Sequence, residues 1–380
     1  MKKLYVLLLL TLLVTSCRRE PELHLYDAEQ VNLDLPTMEI DLDVYWDYVL
    51  DFGIDYDWRA DWYYGWDDTD RRTFGELGYT EPSVFNMRHY YTASSPYGPH
   101  TSVTAKTLEG THHTAFLDWG YWDLLAWNQV STLDGVQSLH FDEQSTLDSV
   151  VAYTNPSMHV SRYQAPRFTH AFYAPEPLFS AYERAVDINR DMRGFDYDAK
   201  RDIWVKQLHM TLRPITYIYL TQVILYNNRG RVAGVEGSAN LSGMARQTNL
   251  NTGYTSDDEI SVNFYQRMKR HVSKKGEDVD IIGGRLFTFG LCNLNPSRAT
   301  RASASDTKVK NFLDVNMYFN NGLDSTYVFD VTSQVKRRYK GGIITIEIDV
   351  DTIKIPSRKS GSGFDAVVKD FDTLTYEIPM

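Results

Sequence analysis

The stretch that most constrains the fold of this chain runs from Ile40 to Trp58, where side-chain character alternates with a period of two. Its even positions are apolar or aromatic, and its odd positions are mostly aspartate. Because successive side chains of a β-strand point to opposite faces of a sheet, this pattern predicts a half-buried strand with an aspartate-lined solvent face. At ~3.3 Å per residue the stretch is too long for one ordinary strand, so we expect a bulge or turn near Gly53.

Strand patterns also dominate the rest of the chain. Apolar and polar residues alternate from Leu313 to Phe319 and from Ile344 to Asp351, whereas the run from Ile215 to Tyr226 is apolar on both parities. The first two runs predict half-buried strands, and the third predicts a central strand that is covered on both faces. Turn signals such as Gly341-Gly342 separate the runs. This density of strands predicts an all-β fold class built from β-sandwiches.

Two further segments have patterns of their own. The segment from Ser180 to Gly194 starts with a serine, carries Glu183 three residues later and ends in a glycine. This arrangement is a capping-box pattern followed by a helix stop, and it predicts one short helix near the domain junction. The small, polar and basic segment at residues 295–308 predicts a long surface loop.

The N-terminal sequence MKKLYVLLLLTLLVTSC has the form of an export signal. Lys2 and Lys3 precede an apolar run that ends at Val14, and this run is shorter than the ~20 residues that a transmembrane helix needs. Small residues then lead to Cys17. A charged start, a short apolar centre and a small-residue exit are typical of a removable secretory signal. An ordinary secretory signal with an incidental cysteine would account for this pattern.

The last residues of this signal also fit a more specific class. LLVTSC resembles a bacterial lipobox, in which the signal is cut just before a cysteine that becomes lipid-modified. The resemblance implies a signal peptide at residues 1–16, a lipidation site at Cys17 and a tether at residues 17–30. The partner of this end of the chain would then be a membrane, reached through acyl chains on Cys17. Stable anchoring requires more than one such chain.

Charge, cysteine content and length narrow the class of protein further. Removing residues 1–16 changes the formal charge from −11 to −13, and this acidity argues against nucleic acid as a partner. Besides Cys17 only Cys292 remains, so we expect no intramolecular disulfide. The 364 residues after the signal exceed what one core usually serves, so we predict domains at residues 31–195 and 196–380.

Several short motifs resemble a family of Bacteroidales proteins. GYWDLLAWN, at residues 120–128, resembles a strand motif of fimbrillin-like proteins. Four later motifs are similar to the closing motifs of an uncharacterised lipoprotein family related to fimbrial anchor and accessory subunits. They are ANLSGMARQ (239–247), GGRLFTFGLC (283–292), YVFDVTSQV (327–335) and GSGFDAVVKDF (361–371). The order and spacing of the set agree over most of the chain.

This resemblance has implications for fold and function. It implies two tandem Greek-key β-sandwich domains of transthyretin-like type, an outer-membrane or cell-surface location, and fimbrial protein subunits as partners. It also implies a non-enzymatic anchor or accessory role in fimbriae or adhesion, with no catalytic residues to transfer. Shared residues such as Gly243 and Phe289 are explained by turns and core packing.

The sequence does not favour metal, cofactor or enzyme chemistry. Asp55 and Asp57 lie two apart on a strand-like stretch, and the glycine and terminal glutamate of an EF-hand are absent. His112 and His113 have no helical H-x-x-x-H spacing for zinc. P-loop, G-x-G-x-x-G and G-x-S-x-G motifs are also absent. We therefore predict no cofactor and no metal site. A surface hydrolase with two carboxyl groups facing each other across a cleft is a third function class that the sequence leaves open.

Four neighbouring rings suggest an alternative function. Trp62, Tyr63, Tyr64 and Trp66 cluster beside aspartates, past the end of the regular alternation. Exposed aromatic faces next to carboxylates could hold a carbohydrate, which would make the protein a glycan-binding outer-membrane lipoprotein. The competing interpretation is that the rings are buried against the second domain and are part of its architecture.

The C-terminal segment FDTLTYEIPM has roughly alternating apolar residues, namely Phe371, Leu374, Tyr376 and Ile378. In strand addition, backbone hydrogen bonds supply affinity and alternate side chains fill pockets in the partner. The segment could therefore donate a strand to a neighbouring fimbrial subunit. The other interpretation is an ordinary final strand of the second domain.

Overall fold

Almost all regular structure in this chain is β-strand. The computed structural model describes residues 37–44, 58–93, 95–130, 138–142, 147–157, 171–189, 191–296 and 298–357. The strands are β1 (Thr37–Val44), β2 (Val84–Thr92), β3 (Ser102–Glu109), β4 (His112–Phe116), β5 (Gly120–Asn128), β6 (Leu139–Asp142), β7 (Val151–Thr154), β8 (Ala171–Tyr173), β9 (Phe179–Ile188), β10 (Asp196–Asp198), β11 (Ile203–Pro214), β12 (Tyr217–Tyr226), β13 (Val232–Val235), β14 (Ser238–Ala245), β15 (Gln247–Asn249), β16 (Glu259–Lys274), β17 (Glu277–Thr288), β18 (Phe312–Phe319), β19 (Asp324–Asp330) and β20 (Gly342–Asp349).

Helices are few and short in the described residues. They are α1 (Trp58–Asp61), α2 (Asp68–Phe74), α3 (Arg301–Ser305) and α4 (Thr332–Arg337), with one 3-10 turn at Leu147–Ser149. None of these helices is long and apolar enough to cross a membrane. The predicted fold class, all-β with Greek-key sandwiches and little helix, is confirmed.

The strands predicted from periodicity are present. Strand β12 is buried along nine of its ten residues, as expected for a central strand covered on both faces. Strands β18 and β20 occupy the two runs with alternating character. The half-buried state predicted for the first run is wrong, because seven of the eight residues of β18 are buried, Asp314 and Asn316 among them. In β1, Met38, Ile40 and Leu42 are buried while Asp43 is exposed, which fits the predicted aspartate-lined face. Residues 45–57, with the bulge predicted near Gly53, lie outside the described residues.

The helix predicted at residues 180–194 is wrong, because residues 179–188 form strand β9. Ser180 pairs with Arg213 of β11, and the backbone amide of Phe179 donates a hydrogen bond of 2.7 Å to Asn128 Oδ1. The backbone partners that a helix would supply locally come here from distant parts of the chain. Long-range pairing thus overrides a local capping pattern worth only about 1 kcal/mol.

The loop predicted at residues 295–308 contains helix α3. Thr300 is its N-cap, and the Thr300 and Ser303 side chains each accept a hydrogen bond from the other's backbone amide. Ala304 is fully buried, so the short helix is held by packing as well as by its cap. The polar composition indicated the surface position of the segment but not the helical turn within it.

The chain divides into two compact units, which are described separately. The smaller unit consists of residues 1–40, 114–119 and 188–208, and the larger unit consists of residues 41–113, 120–187 and 209–380. In the smaller unit, β10 and the start of β11 form an antiparallel hairpin. The domain boundary predicted between residues 195 and 196 is not tested by this division and stays a prediction.

The larger unit begins with a sheet that has the strand order β3-β2-β5-β9-β11. Strand β2 pairs antiparallel with β3 on one side and with β5 on the other. A separate three-stranded sheet has the order β15-β7-β6. These sheets contribute to a core that includes Tyr90, Trp127 and Phe289.

The second half of the larger unit is a two-layer sandwich whose layers share the long strand β16. The first part of β16 pairs with β14, and the second part pairs with β17. One layer therefore has the order β13-β18-β14-β16, and the other has the order β16-β17-β12-β20. Apolar side chains of both layers meet in one core, with Leu313 and Met317 from the first layer and Val223 and Ile346 from the second. Neighbouring strands are often not consecutive, as in Greek-key connections.

Candidate functional site

The four rings predicted as a possible ligand platform belong to residues 58–79, which we call the aromatic segment. This segment covers the outer face of the sheet formed by β17, β12 and β20. Trp58, Trp62 and Tyr64 pack against apolar side chains that point away from the sandwich core, namely Ile218, Leu220, Ile224, Val279, Ile281, Phe287 and Ile343. The central strand β12 is therefore buried on both faces because the aromatic segment supplies the second cover.

A buried glutamine on β12 fixes the position of this cover. Gln222 is fully buried, and its Oε1 accepts hydrogen bonds from the backbone amides of Tyr63 at 2.9 Å and Tyr64 at 3.4 Å. Its Nε2 donates to the backbone oxygen of Asp61 at 2.7 Å and to Thr345 Oγ1 at 2.9 Å. Because a buried amide without partners would cost about 1–3 kcal/mol, these bonds determine where the segment must lie.

A glycine on β17 makes room for the ring of Tyr64. A Cβ added at Gly283 would come within 2.5 Å of Tyr64 Cδ2, closer than any real contact allows. The adjacent Gly284 points to the other face, where a Cβ would come within 2.3 Å of the backbone oxygen of Tyr265. Two consecutive glycines therefore permit close approaches on both faces of one strand.

Four charged side chains hold the end of the segment on the sheet. Asp70 is fully buried and pairs with Arg267 Nη2 at 2.8 Å and with Lys269 Nζ at 2.6 Å. Asp67 pairs with the same two groups at 2.6 Å and 3.1 Å. Tyr64 donates its hydroxyl proton to Asp70 Oδ1 at 2.9 Å, and Lys269 Nζ lies 4.0 Å from the centroid of the Tyr64 ring.

The local chain geometry explains why these two aspartates converge. Asp67 is the N-cap of α2, and its side chain accepts from the backbone amides of Thr69 and Asp70, while the Asp70 side chain accepts from the backbone of Asp67. This reciprocal capping box turns both carboxylates toward β16. Partial burial raises the pKa of Asp67, but the hydrogen bonds from Asp70, Lys269 and Arg267 outweigh it and hold this pKa well below its usual range.

Burial and the neighbouring Asp70 carboxylate raise the pKa of Tyr64 above its ordinary value. The Tyr64 hydroxyl therefore stays protonated and acts as a hydrogen-bond donor. With every polar group of the cluster paired, the arrangement serves to attach the segment.

The C-terminal part of the aromatic segment is attached through Arg285. Its guanidinium donates to the backbone oxygen of Phe74, the last residue of α2, at 2.8 Å. It also donates to the backbone oxygens of Leu77 at 3.4 Å and of Glu76, beyond the end of α2. It also stacks over the ring of Phe287. Trp66 Nε1 donates to the backbone oxygen of Gly75 at 3.0 Å, which closes the segment on itself.

The structure brings the four predicted rings together but buries much of their surface. Trp62 and Tyr64 are 8% and 2% exposed, whereas Tyr63 and Trp66 are half-buried. Trp62 and Trp66 stack with ring centroids 6.3 Å apart, and the row continues through Phe74 to the exposed ring of Tyr265. Only part of the predicted platform is therefore accessible to a ligand.

The edge strand β20 is covered by side chains of α4 and the residue after it. Gln334 Nε2 donates to the backbone oxygen of Thr345 at 2.8 Å, and Gln334 Oε1 accepts from the backbone amide of Thr345 at 2.9 Å. Arg338 Nη1 donates to the backbone oxygen of Ile343 at 2.7 Å. These bonds occupy the backbone groups that another strand would otherwise use.

The remaining predicted site residues do not add to this site. Cys17 and the C-terminal residues Phe371, Leu374, Tyr376 and Ile378 lie outside the described residues. His112 pairs with Asp41 at 2.8 Å, and His113 stacks on His89. Over the described ranges, no group of three or more histidine, cysteine or acidic side chains is arranged to hold a metal ion.

Sequence reasoning missed the residues that hold the aromatic segment in place. Gln222 stands out as a polar residue in the apolar run YIYLTQVILY, and this was the available signal that something outside the strand must pair with it. Arg267 and Lys269 alternate with Met268 on β16, as in any half-exposed strand, and gave no such signal.

Comparisons with known proteins give matches in structure only. No protein-family model matches the chain, and no curated protein is significantly similar to it in sequence. A candidate adhesin from Bacteroides ovatus has a TM-score of 0.49 and 14% identity, over 85% of this chain and 94% of that one. The fimbrial anchor protein Mfa2 from Porphyromonas gingivalis has a TM-score of 0.40 and 11% identity, over 82% of this chain and 90% of that one.

A fimbrial assembly protein from Parabacteroides distasonis has a TM-score of 0.33 and 8% identity, over 83% of this chain and 92% of that one. These three similar structures are thus a candidate adhesin, a fimbrial anchor protein and a fimbrial assembly protein of Bacteroidales.

Proposed function

We propose that this protein is a lipid-anchored anchor or accessory subunit of a fimbria-like assembly on the cell surface, without enzymatic activity. The observation that carries the proposal is the combination of an export signal ending in Cys17 with an ordered set of fimbrillin-like motifs. Acyl chains on Cys17 hold the protein in the outer membrane, and other fimbrial subunits are its protein partners. The acidity of the chain argues against nucleic acid as a further partner.

The positions of the motifs support a structural role. GYWDLLAWN coincides with β5, in which eight of nine residues are buried. ANLSGMARQ contains Gly243, whose φ is +75° and where a Cβ would lie 2.3 Å from the backbone oxygen of Lys310. GGRLFTFGLC contains Gly283, which accommodates Tyr64. These residues are explained by packing, as in a subunit whose surface rather than a reaction centre is its function.

The covered edge of β20 also supports this role. A protein that assembles with partners through exposed strands must keep its other sheet edges closed, because open edges pair indiscriminately. Gln334 and Arg338 close one such edge with side-chain hydrogen bonds. Assembly with other subunits then takes place through surfaces other than the edge of β20.

The alternative function, a carbohydrate-binding outer-membrane lipoprotein with Trp62, Tyr63, Tyr64 and Trp66 as its platform, has less support. Two of these rings are buried against β12 and β17, and the other two are half-buried. A sugar could therefore reach only Tyr63 and Trp66 without displacing the aromatic segment.

Replacing the lipidation site tests the anchoring half of the proposal. In the native bacterium, the wild-type protein is expected in the outer-membrane fraction, with an N-terminal peptide that starts at Cys17 and carries acyl mass. The Cys17→Ser variant is expected to be lost from the outer-membrane fraction, together with shedding of fimbriae from the cell. A wild-type chain that is cleaved elsewhere, or that lacks acyl mass, contradicts the anchor.

Deleting residues 371–380 separates the two interpretations of the C-terminal segment. If the segment donates a strand, the truncated protein keeps its unfolding midpoint but no longer joins a fimbria. If the segment is the final strand of its own domain, the truncated protein loses thermal stability in isolation, and the donor-strand hypothesis is then abandoned.

A further inference from the structure

The hairpin of β10 and β11 displays two aromatic rings that the proposed function does not use. Tyr197 and Trp204 face each other across the two strands, with their ring centroids 5.2 Å apart and their planes inclined by 51°. They are 51% and 46% exposed, so each ring presents about half of its surface to solvent. Both lie in the smaller unit.

The alternation of side chains explains why these rings point outward. Val205, next to Trp204, is 3% exposed, so neighbouring side chains of β11 alternate here between a buried and an exposed position. Tyr197 and Trp204 share the other face because they are a directly opposed pair. The pair is therefore displayed by the strand register and does not depend on a mobile loop.

The turn of the hairpin is held by several polar contacts. Asp198 Oδ1 accepts from the backbone amides of Lys200 at 2.9 Å and Arg201 at 3.3 Å, and Arg201 Nε donates to Asp198 Oδ2 at 2.6 Å. Arg201 also pairs with Glu39 of β1, so the turn is tied to another strand of the same unit. Because the turn is already held in place, binding of a ligand to the rings costs little conformational entropy.

Polar groups lie on both sides of the rings. Tyr197 donates its hydroxyl proton to Asp202, which leaves further lone pairs on that exposed carboxylate. Lys206, two residues beyond Trp204 on the same face, lies with its ammonium 5.5 Å from the ring centroid of Phe195. A hydrogen-bond acceptor and a hydrogen-bond donor therefore flank the aromatic pair.

We propose that the Tyr197–Trp204 pair is a carbohydrate-binding platform for one or two pyranose rings of a neutral oligosaccharide. The C–H groups on one face of a pyranose carry partial positive charge and are attracted to the negative face of an aromatic ring. Two rings inclined to each other match successive sugars of a chain that twists. Asp202 and Lys206 supply the partners for the sugar hydroxyls.

The surroundings of the rings favour a sugar over a protein as the occupant. A protein interface buries about 800 Å² on each partner and places its aromatic anchors inside a larger apolar patch. Here the exposed neighbours in the hairpin are the small residue Ala199 and four charged residues, namely Asp196, Lys200, Arg201 and Asp202. The accessible apolar area is that of two rings, which corresponds to a sugar unit. The acidity of the chain favours neutral glycans over acidic ones.

Binding of defined oligosaccharides to the full chain tests this site. The probes are maltoheptaose, cellohexaose, mannohexaose and xylohexaose, measured by titration calorimetry against the detergent-purified protein. We expect at least one probe to bind, Trp204→Ala to weaken that binding tenfold or more, and Trp204→Phe to retain most of it. Tyr265→Ala and Tyr254→Ala, at comparably exposed rings elsewhere, are the matched controls and are expected to bind as the wild type does.

The outcomes distinguish sugar binding at these rings from protein binding and from a loss of folding. Each variant is first checked for an unchanged unfolding midpoint, which is expected because both rings are half exposed. The proposal is overturned if no probe binds, if Trp204→Ala binds as the wild type does, or if a control variant loses as much. It is also overturned if Trp204→Ala binds the probes normally but no longer joins fimbrial subunits, since the rings would then contact protein. None of these outcomes depends on the anchor at Cys17.

Discussion

The ring of Tyr64 lies directly on Gly283, with only 2.5 Å between Tyr64 Cδ2 and the position where a Cβ would stand. This contact joins the aromatic segment to strand β17 and lets the segment act as an outer layer on the two-layer sandwich of the larger unit. The rings that suggested a ligand platform in the sequence are, in the structure, mainly a cover for a central sheet.

Adding a methyl group at this contact should destabilise the protein. Gly283→Ala must push the Tyr64 ring off the sheet or strain β17, and we expect a loss of about 1–3 kcal/mol in the free energy of unfolding. Gly78→Ala is the matched control, because it lies in the same segment with nothing within 4 Å of the added Cβ. Urea denaturation measures both, and equal effects of the two substitutions would contradict the close contact.

Neutralising the buried carboxylate of the ion cluster should also be costly. Asp70→Asn leaves Arg267 and Lys269 without one of their two anionic partners, and we expect a loss of up to about 3 kcal/mol. Asp68→Asn is the control because its side chain is 87% exposed and pairs with Arg71, which is itself exposed. That substitution should change stability by less than about 0.5 kcal/mol. If both variants unfold at the same urea concentration, the cluster does not hold the segment.

Acidification should destabilise the protein through a buried histidine. His89 is 1% exposed and stacks on His113, with Lys106 also nearby, and burial together with these cationic neighbours lowers its pKa to about 4. The unfolded chain binds a proton at this histidine below pH ~6.5, whereas the folded chain does so only near pH 4. Stability is therefore fully present above pH ~6.5 and falls as the pH drops toward 4, by about 3 kcal/mol at most.

Denaturation at pH 7 and pH 5 measures this slope. His89→Gln should show a smaller loss of stability between the two pH values than the wild type, whatever its stability at pH 7. His140→Gln, at an exposed position, should keep the wild-type slope. An unchanged slope in His89→Gln would exclude this histidine as a source of the pH dependence.

Uncovering the edge of β20 should promote self-association. Gln334→Ala removes two hydrogen bonds to Thr345 and frees a backbone amide and a carbonyl for pairing with another chain. We expect concentration-dependent oligomers in sedimentation velocity, with the fold retained. Ser333→Ala, at an exposed neighbouring position, should stay monodisperse under the same conditions. If Gln334→Ala and Ser333→Ala give the same sedimentation profile, the hydrogen bonds of Gln334 are not what prevents self-association through β20.

Periodicity predicted the parts of this fold that local sequence determines. The two-sided apolar run at β12 and the alternation in β18 and β20 were sufficient to place these three strands. Burial follows side-chain parity in the second half of β20, but not in β18, where Asp314 and Asn316 are buried as well. The capping-box pattern at Ser180 and Glu183 predicted a helix where the chain forms strand β9. The hydrogen-bond partners of β9 lie on β11 and at Asn128, and no local sequence pattern encodes them.

The candidate site was predictable only in part. The cluster of rings at residues 62–66 was visible in the sequence, but whether the rings are buried depends on Gln222, Gly283 and Arg267, which lie far along the chain on β12, β17 and β16. The display of Tyr197 and Trp204 depends on a register that pairs them across a tight turn, which composition does not reveal.

The most direct test of the central claim is purification of the protein from its native host after mild chemical cross-linking, with mass spectrometry of the bound proteins. The fimbrial proposal predicts cross-links to fimbrial subunits in the outer-membrane fraction, and predicts that deleting the gene alters the number, length or attachment of fimbriae. A wild-type protein that is recovered without fimbrial subunits, in cells whose fimbriae are unchanged by the deletion, would contradict it.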